Sequence, residues 1–153
     1  DVTIQAQILE LLREIKDKIN GSIMLITHDL GVIAEMADLV VVMYAGRIIE
    51  QGTVREIFHH PKHPYTIGLM RSKPSGKTVD NRLYSIKGQV PNPINMPDHC
   101  YFLNRCDRVQ PECLGEYPPM FWHSPDHCAA CYWSKTGELC DDEGEREKES
   151  NDE

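Results

Sequence analysis

Apolar residues recur every three to four positions at the start of the chain, at Ile4, Ile8, Leu11, Leu12, Ile15 and Ile19, with Gln, Glu, Arg and Lys between them. That period predicts an amphipathic helix over residues 1–19. Asp1 or Thr3 can cap its start, and Asn20-Gly21 ends it. The pattern then changes. Ser22–Thr27 (SIMLIT) is a short apolar run between turn signals and reads as a buried strand of a parallel sheet. A short helix from about Leu30 to Ala37, an apolar strand over Leu39–Tyr44, a turn at Ala45-Gly46-Arg47 and a returning strand over Ile48–Gln51 follow. Gly52 is expected to break that strand and Thr53 to cap a helix through Phe58, which Pro61 and Pro64 stop. A last helix, about Pro64–Ser72, carries Pro64 in its first turn, where a missing N–H costs little. This order predicts an α/β fold class. It is the closing part of a domain whose helices need more parallel strands than these residues supply.

After residue 73 the periodicity ends. Pro74-Ser75-Gly76-Lys77-Thr78 imitates the end of a phosphate-binding loop, but the first glycine of G-x-x-x-x-G-K-[ST] would fall at Arg71, and a helix rather than a strand precedes it. It reads as a polar linker. Pro91–Pro97 (PNPINMP) suits an extended connector. Six cysteines come next, and Pro111, Pro118, Pro119 and Pro125 exclude long helices among them. About 35 residues with few aliphatic side chains cannot hold a fold unaided, so something must cross-link them. Cys100, Cys106, Cys113 and Cys131 give C-x5-C-x6-C-x17-C, with Cys128 and Cys140 extra. Disulfides, zinc and an iron–sulfur cluster all remain open on the residues alone. Zinc would draw on Cys128-x2-Cys131 with His99, His123 or His127.

Charge divides the chain unevenly. The formal net charge is −8, and residues 138–153 hold nine acids and two bases. The remainder is nearly neutral, without the clustered Lys/Arg of a nucleic-acid partner. Residues 135–153 read as a disordered acidic tail. The longest apolar run, Leu39–Ala45, falls far short of the ~20 residues of a membrane span. The expected segments are therefore 1–73, a linker over 74–97, a cysteine module over 98–134, and the tail.

Chemistry enters at Leu25-Ile26-Thr27-His28-Asp29. A histidine at the carboxyl end of a strand sits where open α/β sheets collect ligands, although it can also serve only as a cap for the next helix. Asp1-Val2-Thr3 with Gln5-Ala6-Gln7-Ile8, Thr27-His28-Asp29-Leu30, Met43-Tyr44-Ala45-Gly46-Arg47-Ile48 to Gly52, and His63-Pro64-Tyr65-Thr66 follow one another in the chain. In this order they resemble the D-loop, the switch histidine, the hairpin after it and the C-terminal extension of ABC-transporter ATPase subunits. The extension narrows the likeness to the oligopeptide/dipeptide/nickel import branch, over roughly residues 1–134. A chain that starts without Met, in the middle of a motif, is expected to be a piece of a longer protein.

The resemblance implies the C-terminal part of a P-loop-type ABC ATPase domain followed by a small irregular metal-cluster module. It implies ATP and Mg2+ as ligands of the parent protein and His28 at the γ-phosphate, positioning the attacking water. Asp1 would lie at the interface with a second ATPase subunit, identical or related. Transmembrane permease subunits would be further partners, with a substrate-binding protein served indirectly, at the cytoplasmic face of the membrane. It also implies that Cys100, Cys106, Cys113 and Cys131 hold a [4Fe-4S] cluster, with Zn2+ the alternative. This sequence departs from the usual pattern at His99, Asp107 and Cys128. With neither a phosphate loop nor a Leu-Ser-Gly-Gly signature, the 153 residues alone are expected to be inactive. The competing function is a stand-alone metal-binding interaction module.

Overall fold

The computed structural model describes residues 2–72, 84–92 and 94–136. Asp1, the phosphate-loop imitation at 74–78, Cys140 and residues 137–153 of the acidic tail lie outside the described residues, whereas the first two tail residues are held, Lys135 pairing with Glu112 at 2.6 Å and the Thr136 hydroxyl donating to the Trp122 carbonyl. The chain divides into two compact units, Asp1–Asp38 and Leu39–Glu153.

The first unit holds helix α1 (Val2–Ile19) and helix α2 (Leu30–Met36). Helix α1 ends as the sequence indicates. Asn20 turns into the left-handed region at φ 48°, and the Gly21 N–H returns to the Lys16 carbonyl. The predicted apolar stripe does not face inward. Ile4, Ile8, Leu11, Ile15 and Ile19 are exposed, while Leu9 is buried. The helices are tied instead by polar pairs: Arg13 to Glu35 at 2.7 Å, Lys16 to Asp38 at 2.9 Å, and Gln5 to Asp29 at 3.2 Å. The strand expected over Ser22–Thr27 is not formed. Met24 and Ile26 are 87% and 89% exposed. A parallel strand needs neighbours hydrogen-bonded beside it, and among the described residues none pairs here.

The second unit is built on one four-stranded sheet of order β1-β2-β4-β3: β1 (Leu39–Tyr44), β2 (Arg47–Thr53), β3 (Phe121–Ser124) and β4 (His127–Ala129). Every pairing is antiparallel, so the described sheet is not the parallel one expected. Ala45 (φ 47°) and Gly46 (φ 84°) make the tight β1–β2 turn, whose two positive φ angles match the twist of a hairpin. Gly52 does not break β2. It is a buried strand residue opposite His127, where an added Cβ would stand 3.1 Å from the imidazole Cδ2. Helix α3 (Val54–His59) starts at the Thr53 cap, which accepts the Glu56 N–H, and helix α4 (Pro64–Arg71) starts at His63. The cysteine segment contains two 3-10 turns, Leu103–Arg105 and Pro111–Leu114, and no long helix.

Strand β2 joins the hairpin to the cysteine segment through Glu50–Ala129, Gln51–Cys128 and Gly52–His127. The core follows the same seam. Tyr44, Ile49 and Phe102 form its centre, with Tyr65, Ile86, Cys100 and Cys106 packed around them. Tyr44 meets Phe102 edge-on at 5.2 Å and Tyr65 at 4.8 Å. Such ring pairs add about 0.5–1.5 kcal/mol each beyond burial.

Candidate functional site

Four cysteines, two flanking one turn, one within a second turn and one after a strand, line one cavity. Cys100 precedes the first 3-10 turn, Cys106 closes it, Cys113 sits in the second, and Cys131 follows β4. Phe102, Leu103, Val109, Pro118 and Tyr132 supply apolar wall, and His63 and Arg108 supply polar groups. Backbone donors meet all four sulfurs. The Arg108 N–H donates to Cys106 Sγ at 3.3 Å and the Gln110 N–H to Cys113 Sγ at 3.4 Å. The Phe102 N–H serves Cys100, and the N–H groups of Trp133 and Ser134 serve Cys131.

Burial pushes the Cys100 thiol up to about 11, and the other three cysteines push it the same way against the Phe102 N–H. Burial likewise raises Cys106 and Cys131. As thiols, then, Cys100, Cys106 and Cys131 keep their protons at neutral pH. A bound metal centre removes them, because a coordinating thiol is deprotonated outright. N–H groups aimed at sulfur favour that thiolate form, so the donor set fits a sulfur-ligated metal centre. Cys128 stands apart, fully buried in β4 opposite Gln51 and Trp122 and not on the cavity wall. The histidines considered for zinc are not on that wall either. His99 Nδ1 lies 3.1 Å from the Cys100 carbonyl, and His127 is engaged by Glu50. A single zinc holds its thiolates about 2.3 Å from the metal. Among the described residues no group of three or more His, Cys, Asp or Glu is arranged around one ion.

Arginines surround this region on aromatic faces. Arg47, from β2, lies 4.6 Å from the Tyr117 ring centre and 5.5 Å from that of Tyr101. Arg108 lies 4.0 Å from that of Trp133. Arg105 donates to the carbonyls of Lys87 (2.9 Å) and Ile86 (3.2 Å) and to the Tyr44 hydroxyl (3.2 Å).

Behind the cavity lies a buried ionic node that the periodicity did not reveal. Glu50 is fully buried. Its Oε1 accepts from the Lys62 N–H at 2.6 Å and lies 2.7 Å from His127 Nε2, and its Oε2 accepts from the His63 N–H at 3.0 Å. His127 Nδ1 lies 3.4 Å from Glu56. Burial alone would raise the Glu50 carboxyl, but His127 and the backbone donors outweigh it and hold it below the ordinary carboxylate value. His63 is equally enclosed, and burial takes its imidazole down to about 4. The only sequence signal for the node was an acidic residue directly after the apolar pair Ile48-Ile49 in β2.

In the first unit, His28 is exposed in the loop before α2. The cap that His28 was able to provide comes from Asp29, whose Oδ1 accepts the N–H groups of Gly31 (2.8 Å) and Val32 (3.3 Å). The Gln5 amide and those backbone donors lower the Asp29 carboxyl.

Residues 49–113 match the family described as "Oligopeptide/dipeptide transporter, C-terminal region". Over 132 residues, 86% of this chain, the sequence is 46% identical to the oligopeptide transport ATP-binding protein AppD of Bacillus subtilis, of which the match covers 40%. It is 60% identical over 92 residues to OppD, of the same description, from Lactococcus lactis subsp. cremoris, covering 60% of this chain and 27% of OppD. It is 49% identical over 129 residues to the dipeptide transport ATP-binding protein DppD of the same subspecies, covering 84% and 37%. The chain thus spans less than half the length of these relatives. The matches bear out the resemblance drawn from the motifs, and they favour the transporter reading over a stand-alone metal-binding module. Among the described residues no helix is long and apolar enough to cross a membrane.

Proposed function

We propose, for a chain whose residues 49–113 carry the C-terminal region of the oligopeptide/dipeptide transporters, that it is the closing part of an ATP-hydrolysing importer subunit. The observation that carries this reading is 46% identity over 86% of the chain to a transport ATP-binding protein. In the whole subunit, two such ATPases close on ATP and Mg2+ and drive transmembrane permease subunits from the cytoplasmic face, importing peptides. His28 contacts the γ-phosphate and holds the attacking water. Its freedom from the capping duty that Asp29 performs supports this role. Phosphoryl transfer depends mainly on such positioning and on charge stabilisation. Asp1 belongs to the interface with the second subunit.

Cys100, Cys106, Cys113 and Cys131 hold a [4Fe-4S] cluster in this reading, and Cys128 and Cys140 do not. One cavity wall shared by the four sulfurs, each met by a backbone N–H, supports that ligand set. When bound, the cluster cross-links a segment that has little aliphatic core of its own.

Two measurements test the halves separately. In the full-length subunit, His28→Ala lowers ATP turnover by roughly 10²-fold and changes ATP binding much less. Unchanged turnover returns His28 to the loop surface. Full-length protein purified without oxygen contains iron and sulfide near four each per chain. Cys106→Ser loses both, together with protease resistance, and Cys140→Ser keeps them. One zinc per chain in place of iron removes the cluster.

A further inference from the structure

His63 is an enclosed base on the wall of the cysteine cavity, and its orientation is fixed from three sides. Its backbone N–H donates to Glu50 Oε2 at 3.0 Å. Its Nδ1 accepts the Tyr65 N–H at 3.1 Å, capping α4. Its ring meets Phe102, another wall residue, edge-on at 5.7 Å. The side chain is 1% exposed. A neutral imidazole that accepts at Nδ1 carries its proton on Nε2. That nitrogen is therefore a donor and not a metal ligand. The wall it shares bears the four cysteine sulfurs, and buried donors find acceptors.

We propose that His63 donates its Nε2–H to the sulfur-ligated group held in this cavity. It acts as a positioning residue that sets how easily the group is reduced. The inference rests on the cluster reading above. A donor to sulfur stabilises the more negative, reduced state, so removing it lowers the midpoint potential. Glu50 fixes the backbone of His63, so this donor is placed from strand β2 of the hairpin, outside the cysteine segment.

The test uses full-length protein purified without oxygen. His63→Phe keeps the bulk and removes the donor, and His63→Gln returns an N–H near the Nε2 position. The expected result is a lower midpoint potential in His63→Phe at unchanged iron and sulfide content, recovered in part by His63→Gln. Wild-type protein labelled with 15N-histidine should show, by pulsed EPR of the reduced state, a coupled imidazole nitrogen that is absent in His63→Gln. An iron-loaded His63→Phe with the wild-type potential overturns this inference and leaves the cluster reading standing. If His63→Phe loses its iron, the labelled wild type decides, and absence of a coupled nitrogen overturns the inference. Wild-type protein without iron and sulfide removes both.

Discussion

The two units of this chain are held by opposite means. In the first unit most of the α1 stripe (Ile4, Ile8, Leu11, Ile15 and Ile19) is exposed, only Leu9 and Val32 are buried apolar residues among those described, and the segment is tied by exposed pairs such as Arg13–Glu35 and Lys16–Asp38. Residues from Leu39 onward bury both their apolar centre, Tyr44, Ile49 and Phe102, and their most demanding polar group, Glu50. Exposed ion pairs are worth little, whereas a buried carboxylate with three partners is costly to disturb. The first unit therefore leaves the apolar stripe of α1 uncovered among the described residues. The second holds its own core.

The sharpest way to break this contrast is Glu50→Ala. It leaves His127 and the N–H groups of Lys62 and His63 without their buried acceptor, and should cost about 3–5 kcal/mol, read by urea unfolding of the second unit. A loss below about 1 kcal/mol would mean that the node is dispensable. The same residue sets a pH window. Its carboxyl lies below the ordinary 4.5 in the folded state, so its contribution is full above about pH 4.5 and is lost as pH falls through the lower folded value. The stability gap between wild type and Glu50→Gln should narrow on going from pH 6 toward pH 3.

Ile8→Glu separates an exposed stripe from a covered one. In the 153-residue chain it should change stability by less than about 0.5 kcal/mol, as surface substitutions do. In the full-length subunit, if a sheet covers this face, it should cost about 2–4 kcal/mol, because a charge would be buried without a partner. Equal small effects in both would show that the stripe stays uncovered. Arg105→Ala should cost about 1.5–3 kcal/mol by releasing the 86–87 carbonyls and Tyr44 together. The smallest effect belongs to Arg13→Gln, under about 1 kcal/mol and further reduced by salt.

Local signals in the sequence carried far, and non-local ones did not. Thr53 and Pro64 marked helix starts, Asn20-Gly21 marked a helix end, and Ala45-Gly46 marked a hairpin, because caps and turns are decided within a few residues. The run Ser22–Thr27 misled because an apolar run records fitness for neighbours, not their presence in the chain. The pairing of β2 with β4 was invisible for a related reason: Glu50 and His127 lie 77 positions apart, and neither pattern names its partner. At the candidate site, spacing singled out the four cysteines but left their cross-link open. Only the fold sets Cys131 on the cavity wall and Cys128 away from it.

Gly52 has a consequence for how this sequence can drift. A methyl group there would stand 3.1 Å from the His127 ring and 3.3 Å from the Asp126 carbonyl, so enlarging position 52 asks the buried imidazole or that carbonyl to give by a few tenths of an ångström. Trimming 127 makes room but removes the imidazole that Glu50 holds. Lineages should therefore change 50, 52 and 127 as a set or leave all three alone. A double-mutant cycle between Gly52→Ala and His127→Ala should show coupling, the double variant losing less than the two single losses added together.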